Sequence, residues 1–296
     1  MKAWYEQKEQ SAGTWRLNAL LFFYRVFGLK SLKCLLIVVV FFIWLFAKPA
    51  RTASRQYKKV LNNYQKRHQL TTAHFSSYRH ILNYAWSLAD KLAAFMGKSL
   101  PFTVNDNDAW RAMIQDIQNK RGCFFIFSHI GNVEALPALL KAYPNLPKTQ
   151  IHAFMQVNQN SIFHNFVMDN AALSNVSILP MDNMGVSMGF EIASYLEAGD
   201  IVMMAGDRVA AQNTKAVVYE ELLDCSVAFP KGVFKLAKAS GAAVYFISAT
   251  RARKRYVVDV AKAPEHEMAK AFAAFMQAQA LAHPIEWFNF YDFFTE

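Results

Sequence analysis

The chain has 296 residues, 54% apolar and 18% charged, which supplies a sizeable core and excludes a disordered polypeptide. Eleven Gly and nine Pro exclude a fibrous or low-complexity chain, and three cysteines (Cys34, Cys123 and Cys225) exclude a disulfide framework. The net charge of +10 is concentrated: residues 1–67 hold 13 Lys/Arg against 2 Asp/Glu, and the remainder is close to neutral. A basic stem before a neutral body argues for an anionic partner of the stem, whether lipid, acidic protein or nucleic acid.

Residues 34–47 (CLLIVVVFFIWLFA) form an uncharged run of 14 residues. As a helix this run covers about 21 Å, short of the roughly 30 Å hydrocarbon core of a bilayer. Residues 17–29 extend the apolar character, interrupted by Arg25. Lys30 and Lys33 precede the run and Lys48, Arg51 and Arg55 follow it, placed to reach lipid phosphates from either end. The segment is read either as a short or tilted span or as a helix embedded in the interface, with a buried core helix as the plainer alternative. The stronger positive charge after the run places the body in the cytoplasm, on an inner (cytoplasmic) membrane. Residues 1–55 are read as the anchoring stem and residues 56–296 as one domain.

Residues 56–96 are expected to be helical, with Tyr78, Leu82, Ala85, Leu88, Ala89 and Leu92 as a buried stripe, ended by Pro101. Beyond it, short apolar runs at 123–128, 151–155, 176–179, 201–205 and 243–248 alternate with helical stretches near 108–120, 133–142, 160–172, 186–198, 231–240 and 264–282. That alternation predicts an α/β fold with a mixed, mostly parallel sheet flanked by helices. Residues 217–223 and 256–260 are further strands. The Asn105–Asp108 run lacks the rest of a calcium loop and is read as a helix cap.

Sites in such folds gather at the carboxyl ends of the strands. Two segments occupy that place: Ser128-His129-Ile130-Gly131-Asn132-Val133-Glu134 and Gly206-Asp207-Arg208. A carboxylate from Glu134 accepting the Nδ1 proton of His129 leaves Nε2 as a general base. Asn132 is a candidate helix cap, and Gly131 lets backbone approach a reacting carbonyl. There is no Gly-x-Ser-x-Gly elbow and no nucleophilic cysteine in a suitable context, so the base acts on an external hydroxyl. A capping His and a dipole-satisfying Glu are the structural alternative. His152, His164, His266 and His283 show no partner pattern, and the spacing of His68, His74 and His80 does not stack them on one helical face.

The H-x4-E element after an apolar strand resembles the lysophospholipid acyltransferase superfamily. The body is similar to its lipid A late acyltransferase branch, the lauroyl/myristoyl transferases. The similarity rests on Glu197–Val202 leading into Gly206-Asp207-Arg208, on Phe229-Pro230-Lys231-Gly232 with Leu236-Ala237 and Ser240-Gly241-Ala242, and on the aromatic tail Trp287–Phe293. The SHIGNVEAL form resembles the acyltransferases of aryl polyene lipid pathways. The resemblance implies transfer of a fatty acyl chain from an acyl carrier protein or coenzyme A thioester to a hydroxyl of a lipid or glycolipid. It implies no cofactor and no metal. His129 is the implied base, oriented by Glu134. Gly131, Asn132, Asp207, Arg208 and Lys231 are implied in substrate binding, with Arg208 on an acceptor phosphate or carboxylate. Lys231 stands where glycerol-phosphate-type members carry an acid. The rival readings are a nucleic-acid binder, opposed by the charge division, and a non-catalytic membrane scaffold with the same fold.

Overall fold

The computed structural model describes residues 14–133, 136, 146–155, 175–181, 186–209 and 216–294. Helix α1 (Thr14–Phe46), kinked at Gly28 where φ 76° and ψ 176° break the helix, is followed by α2 (Lys48–Arg67) and α3 (Ser77–Phe95). Then come β1 (Phe102–Val104), α4 (Asp108–Gln118), β2 (Cys123–Gly131), β3 (Ile151–Met155) and β4 (Val176–Pro180). Next are α5 (Val186–Glu197), β5 (Ile201–Ala205), β6 (Val217–Leu222), β7 (Cys225–Pro230) and α6 (Lys231–Ala239). β8 (Ala243–Ala252), β9 (Arg255–Lys262), α7 (Met268–Ala282) and a 3-10 turn (Pro284–Glu286) complete the described chain.

Seven strands form one sheet in the order β1-β9-β8-β2-β5-β3-β4, and β6-β7 form a separate hairpin. Every pairing in the large sheet is parallel except β8 with β9. The expected mixed, mostly parallel α/β sheet is therefore present. β2 lies at its centre, which explains a continuous apolar run rather than an alternating one. Alternate residues of β2 feed two cores. Cys123, Phe125 and Phe127 meet α1, α3 and α4, while Phe124 and Ile126 meet α2, α5, α6 and α7. The result is three layers, with helices on both faces.

The expected 56–96 helix is two helices. The chain leaves α2 through His68 and Gln69, the latter at φ 55°, and re-enters at Ser76, whose side chain accepts from the Arg79 N–H. Asn107 caps α4 through the Trp110 N–H, as expected of that polar run. Strands β1 and β7 carry no clear sequence signal. The β6–β7 turn places Leu223 and Asp224 at φ 55° and 59°, a turn that ordinarily favours Asn-Gly. Tertiary contacts hold it, since Leu223 is fully buried and its N–H bonds Gln277 Oε1. The helices expected near 133–142 and 160–172 lie outside the described residues, apart from Val133 and Leu136.

The stem is joined to the body rather than separate from it. Lys33 Nζ pairs with Asp90 at 2.5 Å, Trp86 Nε1 donates to the Lys33 carbonyl, Tyr78 OH donates to the Ile37 carbonyl, and Trp44 Nε1 donates to Ser77 Oγ. Lys33 thus turns inward instead of reaching for a lipid phosphate. The boundary at residue 55 falls inside α2, where Ser54 bonds His80 Nδ1 at 3.0 Å. His80 also donates from Nε2 to the Trp287 carbonyl at 2.8 Å, which fixes the neutral tautomer.

Burial holds His80 neutral and lowers its pKa from 6.5 to about 4, the Trp287 bond opposing this in part. The unfolded chain therefore binds a proton between those values that the folded chain does not. Its stability contribution is complete above pH 6.5 and declines as the pH falls toward about 4. We expect acid to remove up to about 3 kcal/mol in this window. His80→Gln should flatten that slope in urea titrations run in detergent.

Candidate functional site

β2 and β5 are parallel neighbours, with Phe127 opposite Ala205. Two residues beyond that last pair lie His129, on β2, and Asp207, just past the end of β5, so the strand pairing delivers both to one place. His129 Nδ1 lies 2.9 Å from Asp207 Oδ1 and 3.1 Å from Oδ2, and the His129 backbone N–H donates to Oδ2 at 2.8 Å. His129 also sits in a bulge. β2 advances from Phe127 to Gly131 while its partner β8 advances only from Ile247 to Ala249. A bulge re-aims side chains and is common beside functional groups.

The His129 side chain is 28% exposed and that of Asp207 only 2%. Burial alone pushes the Asp207 carboxyl up. The His129 imidazole and the Arg208 guanidinium more than offset it, holding Asp207 below the usual carboxylate range. A carboxylate that stays charged fixes Nδ1 as the protonated nitrogen and leaves Nε2 with a lone pair. Among the described residues Nε2 has no protein partner.

That separates His129 from the other inward-facing imidazoles. His152, which shows no partner pattern in the sequence, is bonded at both nitrogens: Ser177 Oγ at 2.7 Å and Asp200 Oδ2 at 3.0 Å. Tyr195 stacks on its ring with centroids 3.6 Å apart. This group ties the amino ends of β3, β4 and β5, opposite the His129 end. His80 is likewise engaged at both nitrogens. The Cys123 thiol is pushed up to about 12 by burial and then by Asp116, which removes it as a nucleophile at neutral pH.

The expected site residues divide as follows. His129 and Asp207 meet, and Arg208 adjoins them, its guanidinium 5.6 Å over the Tyr291 ring. Glu134 lies outside the described residues, and the place at Nδ1 assigned to it is taken by Asp207. Asn132 is buried with its amide turned inward, donating to the Ser87 carbonyl at 3.0 Å and to Tyr256 OH at 3.4 Å. It is therefore a structural bridge and not a surface for substrate. Gly131 packs its α-carbon against β8. Its φ is +79°, and a Cβ there would meet the Ala249 carbonyl oxygen at 2.2 Å. Lys231 begins α6 as an exposed residue. Among the described residues it shares no hydrogen bond or ion pair with His129, Asp207 or Arg208.

Sequence reading also missed the tail as a component of the site. Ile130 bridges Trp287, and the Phe288 N–H donates to the His129 carbonyl at 3.0 Å. The aromatic character of residues 287–294 was the available signal, and Trp287 and Phe288 are buried, as an aromatic core cluster would be. No protein-family model matches the sequence, and no curated protein matches it.

Gly131→Ala should destabilise the protein by clearly more than Gly241→Ala. Both have positive φ, but nothing lies within 4 Å of a Cβ at Gly241. We expect about 1 kcal/mol for Gly241→Ala and a further 1–3 kcal/mol for the Gly131 clash, read as denaturation midpoints.

Proposed function

We propose that the protein is a membrane-associated O-acyltransferase of the lysophospholipid acyltransferase type, in which His129 is the general base and Asp207 orients it. One observation carries this reading: a half-buried imidazole with Nδ1 held by a buried carboxylate and Nε2 left available, at the carboxyl ends of adjacent parallel strands. The donor is an acyl carrier protein or coenzyme A thioester, and the acceptor is a hydroxyl of a lipid or glycolipid.

Nε2 takes the acceptor proton as the oxygen attacks the thioester carbonyl. Asp207 stabilises the imidazolium that forms. The tetrahedral intermediate collapses, the C–S bond breaks, and the imidazolium returns its proton to the departing thiolate. Asp207 is charged throughout the neutral range, so it supplies no proton of its own. Arg208 provides a cation beside the pair for an acceptor phosphate or carboxylate.

Among the described residues one helix, Asn18–Phe46, is long and apolar enough to cross a membrane, with only 17% of its most apolar window buried. We place the protein on the cytoplasmic face of an inner membrane with this helix embedded in one leaflet. Leu29, Leu32, Leu36 and Val40 pack on the body, while Phe22, Phe27, Phe42 and Phe46 are exposed. The bonds from Lys33 and Trp44 run along α3, which carries Arg79, Asp90 and Lys91. A crossing would draw those charges into hydrocarbon, at several kcal/mol each. α2 has no acidic residue, and its exposed Lys48, Arg55, Lys59 and Lys66 face an anionic surface well.

His129→Ala and Asp207→Asn should each lower acyl transfer by roughly 10²–10⁴-fold while membrane association persists. The measurement is mass spectrometry of total lipids with each variant as the sole copy. A wild-type lipid profile in either variant rejects the assignment. In a Cys34→Ala background, cysteines placed at Asn18 and Arg67 should react with an impermeant maleimide from the same side of sealed vesicles. Labelling from opposite sides would make the helix a span.

A further inference from the structure

Between the apolar helix and the His129 strand lies a buried network that the proposed chemistry does not use. Its centre is Asp90, 3% exposed on α3. Asp90 receives Lys33 Nζ at 2.5 Å and Tyr256 OH at 2.9 Å, with Arg251 Nη1 at 3.8 Å. Two arms run from it to either side of His129. In the first, Tyr256 OH accepts from Asn132 Nδ2 at 3.4 Å. Asn132 is the residue after β2, and its N–H bonds the Ala249 carbonyl at 2.7 Å. In the second, Arg251 donates to Asn83 Oδ1, and Asn83 donates to Glu286 Oε1 and to the Ile285 carbonyl. Glu286 directly precedes Trp287 and Phe288, which hold Ile130 and the His129 carbonyl.

Two carboxylates and two cations close this circuit, and Lys33 is the member contributed by the lipid-facing helix. A buried network with every member engaged is rigid and fixes geometry more than it adds stability. We propose that Lys33 is a positioning residue for the His129 site, coupling the seating of α1 on the body to the orientation of the imidazole through Asp90, Tyr256 and Asn132. This rests on His129 being the base. It means that the enzyme is fully competent only when its apolar helix is docked on the body.

The test uses the full chain in detergent micelles with ¹⁵N-labelled histidine, the His129 signals being assigned by their loss in His129→Ala. Lys33→Met and Tyr256→Phe should shift the His129 ring-nitrogen signals in the same direction, and Lys33→Arg should restore the wild-type position. Tyr256→Phe removes one hydroxyl from a packed ring, and it decides the matter should Lys33→Met fail to fold. In acyl transfer from a loaded acyl carrier protein to total lipid, each variant should lose roughly tenfold or more in kcat with KM unchanged. The double variant should be no slower than the slower single one. Unmoved His129 signals in Tyr256→Phe, or kcat losses that multiply in the double variant, would overturn the coupling. A wild-type chain that transfers no acyl group would instead refute the acyltransferase reading, and the His129 signals would still judge the coupling.

Discussion

A single buried anion organises this end of the molecule. Asp207 is almost inaccessible, and a carboxylate in that position is tolerated only when donors surround it. His129 supplies two of them, the main-chain N–H and the ring Nδ1–H. The same residue therefore satisfies the anion and is fixed by it in backbone and tautomer together. The bulge in β2, the close approach of Gly131 to Ala249 and the bond from Phe288 to the His129 carbonyl all follow from keeping His129 against the end of β5.

Among the described residues, His80, His129 and His152 show how the environment decides an inward imidazole's role. His80 and His152 have both nitrogens bonded and serve as cross-braces, one between helices and tail, the other between strand starts. His129 has one nitrogen committed. Residue type and burial would rank the three in the wrong order, because the most buried of them has the least chemistry available. The useful quantity is the lone pair that remains after the protein's own bonds are counted.

Much of the architecture was legible in the sequence. The runs at 123–128, 151–155, 201–205 and 243–248 form strands in the sheet interior, where burial on both faces removes the need for alternation, and 176–179 forms the half-buried edge strand β4. The gap between α2 and α3 was not legible, since neither Gly nor Pro marks it and a serine cap does the work. β7 was hidden because its turn uses Leu and Asp at positive φ, held by Gln277 from α7. At the site, both segments were identifiable from their place after strands. The choice between Glu134 and Asp207 was not, because proximity along the chain favours Glu134, whereas proximity across the sheet depends on a strand pairing that sequence alone does not give. Asn132 looked like a surface cap because its carbon-side neighbours are helical in character. Its buried partners come from Ser87 and Tyr256, distant in sequence.

The bridge from Trp287 to Ile130 has a consequence for how the protein is made. The strand bearing His129 is synthesised well before Trp287, whose bridge to Ile130 holds the strand beyond its pairing with β5. Until those residues emerge from the ribosome, the His129 carbonyl lacks its bond from the Phe288 N–H. Completion of the site thus waits until Phe288 has been made, long after the apolar helix has emerged.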